Sequence, residues 1–228
     1  VVAARVERLS VYSRPFPGKD GSVRTVVVPE DRFGNPSRFA QPVRCELEWN
    51  GAVQEVFIQE TTSICLDSPG QTERAILAIP MAGLAVDENI SNGRREGNRL
   101  MVTGNPVWPE GPNGLRAGFG EFHWHTDFSG DGQRPIAEAL RSADEYLNMD
   151  YAAPGDHNPR GDDWREPVIA LDAANRPDEF ATFYGWENGT DRGHENYYFT
   201  TPDHPLVCGG TAGVIRDRPD ALIEKLKN

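Results

Sequence analysis

Gly120-Glu121-Phe122-His123-Trp124-His125-Thr126, continued by Asp127-Phe128-Ser129-Gly130-Asp131-Gly132, is the stretch on which the fold of this chain turns. Two histidines follow an apolar run at alternate positions. In an extended strand, residues i and i+2 project to the same face, so His123 and His125 are expected to leave one strand end together. Neutral imidazole is the commonest side-chain ligand for Zn, Mn and Fe, and two such groups side by side can share or bridge ions. The chain has five histidines, and four of them fall between positions 123 and 194 beside clustered acids. Taken singly, a histidine near a strand end is more often a hydrogen-bonded surface or core residue than a ligand.

Downstream the rhythm alternates between strand and helix. Leu115 to Phe122 reads as a strand. Arg134 to Leu147 carries Ile136, Leu140, Ala143 and Leu147 at three- and four-residue spacing, an amphipathic helix with Pro135 in its first turn. Asp150 to Ala153 reads as a short strand leading to Asp156-His157, and Asp163 to Ala174 as a helix closed by Asn175-Arg176-Pro177. Phe180 to Trp186 reads as a strand that delivers Glu187, with His194 in a loop before a further strand at Asn196 to Thr200. A last helix is expected over Pro219 to Leu226. Alternating β and α units imply a parallel sheet or barrel, in which active groups gather at the carboxyl ends of strands. His123, His125, His157 and Glu187 all fall at such expected ends.

Upstream, residues 1–112 read as all-β. Arg24 to Val28, Val43 to Trp49 and Glu55 to Ile58 are rich in β-formers and punctuated by Gly, Pro, Asn and Asp, the spacing of a sandwich. Asp31-Arg32-Phe33-Gly34-Asn35-Pro36 is a turn: Gly34 and Asn35 tolerate positive φ, and Pro36 ends pairing. It resembles the D-x-x-G-N-P element of bacterial immunoglobulin-like domains. The dense Pro and Gly of Asn105 to Gly114 mark the boundary, giving a β-sandwich over 1–112 and a second domain over 113–228.

At 228 residues, 38% of them hydrophobic, the chain can bury one large core or two small ones. A net charge of −12 argues against a nucleic-acid partner, which wants a basic face. No apolar run is long enough to span a membrane. The first residues lack a signal-peptide layout, so the compartment stays open, a bacterial protein exported with its leader already removed included. Cys45, Cys65 and Cys208 have no metal-type spacing, and a Cys45–Cys65 bridge across a hairpin is one option. The Asn89 and Asn188 sequons carry meaning only in a glycosylating host.

Together, His123, His125, Asp131, His157, Glu187 and His194 resemble the metal set of the polymerase and histidinol phosphatase (PHP) superfamily of phosphoesterases. His123-Trp124-His125-Thr126-Asp127-Phe128-Ser129 is similar to its H-x-H-T-x-x-S opening. Asp156-His157, Gly185-Trp186-Glu187 and Gly193-His194-Glu195-Asn196-Tyr197 are similar to the motifs that follow. The likeness is strongest to a bacterial family that joins a leading β-sandwich to a PHP-like domain, and it covers most of residues 104–200. It implies a distorted seven-stranded β/α barrel with two or three divalent ions (Zn, Mn or Fe) at its carboxyl mouth. His123 and His125 would hold the first ion, Glu187 would bridge it to a second on His194, and Asp131 with His157 would hold a third. A metal-bound hydroxide would then attack a small-molecule phosphoester or related ester. Asp156 and Arg160 are the remaining candidate catalytic groups, Asp156 as an orienting carboxylate and Arg160, like Arg192, as a phosphate contact.

The departures matter. Glu121 stands where the family usually has Asp, and the later His and Asp-x-His ligands have no counterpart here, His204 following His194 too soon. The expectation is therefore an incomplete barrel, completed by a complementary carboxyl-terminal chain or fragment. The rival reading is a non-catalytic binding or scaffold protein, with a sandwich that binds a partner or glycan and a degenerate metal domain. Trp124, Trp164, Tyr184 and Trp186 fit either a pocket lining or core packing; Trp124 and Trp186, each next to a ligand in sequence, are expected to point away from the ions.

Overall fold

A computed structural model describes residues 5–84, 90–157, 164–190 and 193–203 of the chain. The chain divides into two compact units, Val1–Gly118 with Glu145–Asn148, and Phe119–Asp144 with Met149–Asn228. The division thus falls six residues beyond the expected one, and a four-residue segment of the second half joins the first unit. The expected helix over Pro219 to Leu226, and Arg160, Arg192, His204, Cys208 and the Asn89 sequon, lie outside the described residues.

Strand-forming sequence builds the first unit. Its strands are β1 (Arg8–Ser13), β2 (Ser22–Glu30), β3 (Val43–Trp49), β4 (Ala52–Ile58), β5 (Thr62–Asp67), β6 (Glu73–Pro80), β7 (Arg94–Glu96) and β8 (Arg99–Val107). They pair antiparallel in two sheets, ordered β1-β2-β5 and β4-β3-β6-β8-β7. β3 shows why: Val43, Cys45, Leu47 and Trp49 are buried while Arg44 and Glu48 are exposed, the two-residue period of a strand with one face in a core. Leu9, Val11, Val23, Val27 and Leu66 of the first sheet pack in one cluster with Leu47, Ile58, Leu77, Ile79 and Val102 of the second. Two antiparallel sheets over a shared core make a β-sandwich.

The Asp31–Pro36 turn forms with one change. Gly34 adopts φ 81, but Asn35 does not use positive φ. Instead its backbone N–H donates to Asp31 Oδ1 at 2.9 Å and its side-chain amide to Asp31 Oδ2 at 3.0 Å. Asn148 belongs to this unit because its amide donates to the carbonyls of Tyr12 (2.8 Å) and Arg24 (2.9 Å). The Cys45–Cys65 bridge does not exist: both thiols are free. Cys45 faces the core from β3, where burial pushes its thiol up to about 12, whereas Cys65 is exposed on a strand of the other sheet.

The second unit is built on β9 (Gly120–Glu121), α1 (Ile136–Arg141), β10 (Tyr151–Ala152), α2 (Arg165–Ala174), β11 (Ala181–Thr182), β12 (Tyr184–Thr190) and β13 (Gly193–Phe199). β9, β10 and β11 are parallel in the order β11-β10-β9, with one helix in each crossover. Backbone bonds run on past the short strands: Gly155 N–H to Trp124 O (2.8 Å) and Glu187 N–H to Asp156 O (2.9 Å). Ile136, Leu140 and Ala143 pack with Trp164, Leu171, Phe180, Tyr184 and Trp186 in this unit's own core. The expected βαβαβ alternation is therefore present.

Several details differ from expectation. The strand expected over Leu115–Phe122 is confined to Gly120–Glu121. The helix expected to reach Leu147 ends its α-turns at Arg141 and widens into a π-helical stretch over Ser142–Tyr146. The strand expected over Phe180–Trp186 is broken at Phe183, and its second part pairs antiparallel with β13 as a hairpin. Glu187 accordingly sits inside β12, and His194 sits inside β13 opposite Gly189 rather than in a loop. Among the described residues the parallel sheet has three strands and does not close into a barrel.

Candidate metal centre

The parallel register brings the candidate ligands together. His123 and His125 follow β9, Asp156 and His157 follow β10, and His157 forms a parallel bridge with Glu187. The β12–β13 register then sets Glu187 beside Asn196, with His194 two residues earlier on the same face. Glu187 is the floor of the site, its side chain 2% exposed; His123 and His194 form the rim, at 50% and 56%.

Donor atoms converge on that carboxylate. Glu187 Oε2 lies 3.1 Å from His123 Nε2, 3.0 Å from His125 Nε2 and 3.6 Å from His157 Nδ1. Its other oxygen, Oε1, is paired with His194 Nδ1. The two Nε2 atoms of His123 and His125 are 3.3 Å apart. Ligands held about 2.1 Å from one ion stand about 3.0 Å apart at right angles and about 3.4 Å apart at tetrahedral angles, so these separations match a shared cation. Three groups have this form: His123–His125–Glu187, His125–Asp131–His157 and His157–Glu187–His194, each with its ligand atoms within 4.8 Å of one another.

His125 takes part in two of these groups through different ring nitrogens. Its Nδ1 is 2.9 Å from Asp131 Oδ2 while its Nε2 faces Glu187. A neutral imidazole ligates through one nitrogen and carries its proton on the other. With Nε2 on an ion beside His123 and Glu187, Nδ1–H donates to Asp131, an arrangement that fixes the ring's tautomer and orientation. Asp131 Oδ2 still faces His157 Nε2 at 3.2 Å.

The carboxylates are held ionised. The Ser129 hydroxyl donating to Asp131 Oδ1 at 2.6 Å, helped by His125, lowers the Asp131 carboxyl to about 2. Burial pushes Glu187 upward, but the His123 hydrogen bond and the charges of His157 and His194 outweigh it, and its net shift is downward. Both groups therefore carry negative charge at neutral pH.

Asp156 is not in this cluster. It is fully buried; its oxygens accept from Thr126 N–H (2.7 Å) and Thr126 Oγ1–H (2.8 Å), and Oδ1 lies 2.8 Å from Ser129 Oγ, whose one hydrogen it shares with Asp131. These bonds tie Asp156 to the loop after His125. Thr126 and Ser129 had no role in the sequence reading, although their place in the H-x-H-T-x-x-S pattern was the signal for one.

The aromatics settle into packing. Trp186 is fully buried and stacks on Tyr197 with centroids 4.7 Å apart. Trp164 and Tyr184 belong to the second unit's core, and Trp124 packs against it. Trp186 thus lies in the unit's core and Trp124 against it. Compared with protein-family models, curated proteins and solved structures, the chain finds no match.

Proposed function

We propose that residues 119–203 carry a divalent-metal centre of a hydrolase whose substrate is a small phosphoester. One observation carries the reading: four imidazoles and two carboxylates, far apart in sequence, converge around Glu187. The His123 and His125 ring nitrogens stand 3.3 Å apart, a separation that a shared cation would also set. The donor set of imidazole nitrogens and carboxylate oxygens suits Zn, Mn or Fe. Divalent ions held there would lower the pKa of bound water and neutralise phosphoryl oxygens.

This chain's own residues do the rest. Glu187 contacts both ends of the cluster through its two oxygens. Asp131 orients His125, and Asp156 fixes the loop that carries it. The order of the motifs and the βαβαβ wiring support membership of the PHP-like group, with the leading sandwich read as an immunoglobulin-like module. Hydrolysis of p-nitrophenyl phosphate and bis-p-nitrophenyl phosphate with added Mn2+ or Zn2+ tests the activity. The expected result is turnover that needs metal and is lost in a His123→Ala/His125→Ala variant. Turnover that survives that variant contradicts the proposal. The non-catalytic alternative predicts no turnover and no retained metal.

A further inference from the structure

The cluster as described contains only histidines and acids, yet the face of β13 that meets it carries one more polar side chain. His194, Asn196 and Tyr198 alternate along β13 and so share a face. His194 Nδ1 pairs with Glu187, and the Tyr198 hydroxyl donates to the Phe122 carbonyl, next in sequence to His123. Asn196 lies between these two anchors and directly opposite Glu187 in the antiparallel register. Cross-strand partners project to the same side, so its amide is carried toward the floor of the cluster.

Gly155 shows how near it comes. A Cβ added there would stand 2.8 Å from His123 Cδ2 and 3.2 Å from Asn196 Oδ1, so those two atoms flank one empty spot and are at most about 6 Å apart. The glycine keeps that space open. Asn196 Oδ1 is shut off from solvent and has no hydrogen-bond partner. A buried carbonyl oxygen left unpaired is costly, and native structures leave few of them without a reason. Asn188, whose amide is also buried and unpaired, does not compete for this role: it follows Glu187 in β12 and projects to the opposite face with Trp186.

We propose that Asn196 belongs to the metal centre, its side-chain oxygen serving as a neutral donor to the cation held by His123, His125 and Glu187. The inference rests on the reading of that cluster as a cation site. An amide oxygen adds a hard donor without adding charge. It also leaves the apo site with an unpaired buried group that the ion satisfies, which gives an unusual signature on substitution.

The test uses the full chain, stripped with chelator and titrated with Mn2+ by calorimetry, with thermal unfolding followed in the apo and Mn2+-loaded forms. Asn196→Ala is expected to weaken Mn2+ binding roughly tenfold or more. Its apo form is expected to melt no lower than apo wild type, because an unpaired buried group has been removed, while the rise in melting temperature on adding Mn2+ shrinks. Asn196→Asp, nearly the same shape with an added charge, is expected to bind Mn2+ at least as tightly as wild type. Unchanged affinity in Asn196→Ala, weakened affinity in Asn196→Asp, or an equal drop in melting temperature in both forms overturns the assignment while leaving the cluster standing. Wild type that binds no Mn2+ overturns the cluster reading itself.

Discussion

At the scale of single residues, the site depends on what each carboxylate has been given to do. Glu187, Asp131 and Asp156 lie within one short span of structure, yet they differ in burial and partners. Glu187 is buried and surrounded by imidazoles; Asp131 is half exposed and held by a serine hydroxyl; Asp156 is sealed and spends both oxygens on backbone and hydroxyl donors. The residues alone show all three as acids beside histidines; only the family resemblance separates ligand from support, because that distinction depends on which donors the fold brings to each oxygen. Asp156→Ala leaves the buried Thr126 N–H without a partner and frees the loop after His125. It is expected to cost about 2–4 kcal/mol of stability and to weaken metal binding roughly 10–100-fold, read from urea midpoints and a metal titration. Unaltered metal affinity would show that the loop holds His125 without it.

At the scale of elements, periodicity was the readable part. The two-residue alternation of Val43 to Trp49 and the three- and four-residue spacing of Ile136, Leu140 and Ala143 both reappear as buried faces. What escaped were ends and partners. β9, β10 and β11 fall inside expected strands but each spans only two residues, a length set by which residues find parallel neighbours for their hydrogen bonds. The hairpin of β12 and β13 stands where a strand, a loop and a strand are expected; Gly185, Gly189 and Gly193 lower β propensity there, and cross-strand pairing overrides it. The free state of Cys45 was equally hidden, because only the fold shows it facing the core of one sheet while Cys65 sits on the other. Leu171, fully buried where α2 packs against Phe180 and Trp186, supports the strands that carry the ligands. Leu171→Ala is expected to cost about 2–5 kcal/mol and to weaken metal binding. Leu77→Ala, in the core of the sandwich, is expected to cost the same order while leaving the metal titration unchanged. Calorimetric melts paired with metal titrations of both variants check this, and equal loss of metal binding in the two would contradict it.

At the scale of the whole molecule, two units of different construction share one chain. Among the described residues, the sandwich closes its core with eight antiparallel strands and nineteen buried apolar side chains. The second unit has a smaller core and gathers six potential ligands on one side of a short parallel sheet. An ion bound there would add stability by mass action, about 4 kcal/mol at a thousand times its dissociation constant. The division into an all-β and a β/α half was legible in composition and rhythm. An incomplete barrel is what the sequence leads one to expect, and among the described residues the parallel sheet has three strands and stays open.

The central claim is that the cluster around Glu187 holds divalent ions. Metal content by plasma mass spectrometry, on the purified chain and on the His123→Ala/His125→Ala variant, tests it most directly. The account predicts two or more Zn, Mn or Fe ions per wild-type chain and their loss in the variant. A wild-type chain free of metal after exposure to these ions, or a variant that retains them in full, would contradict it.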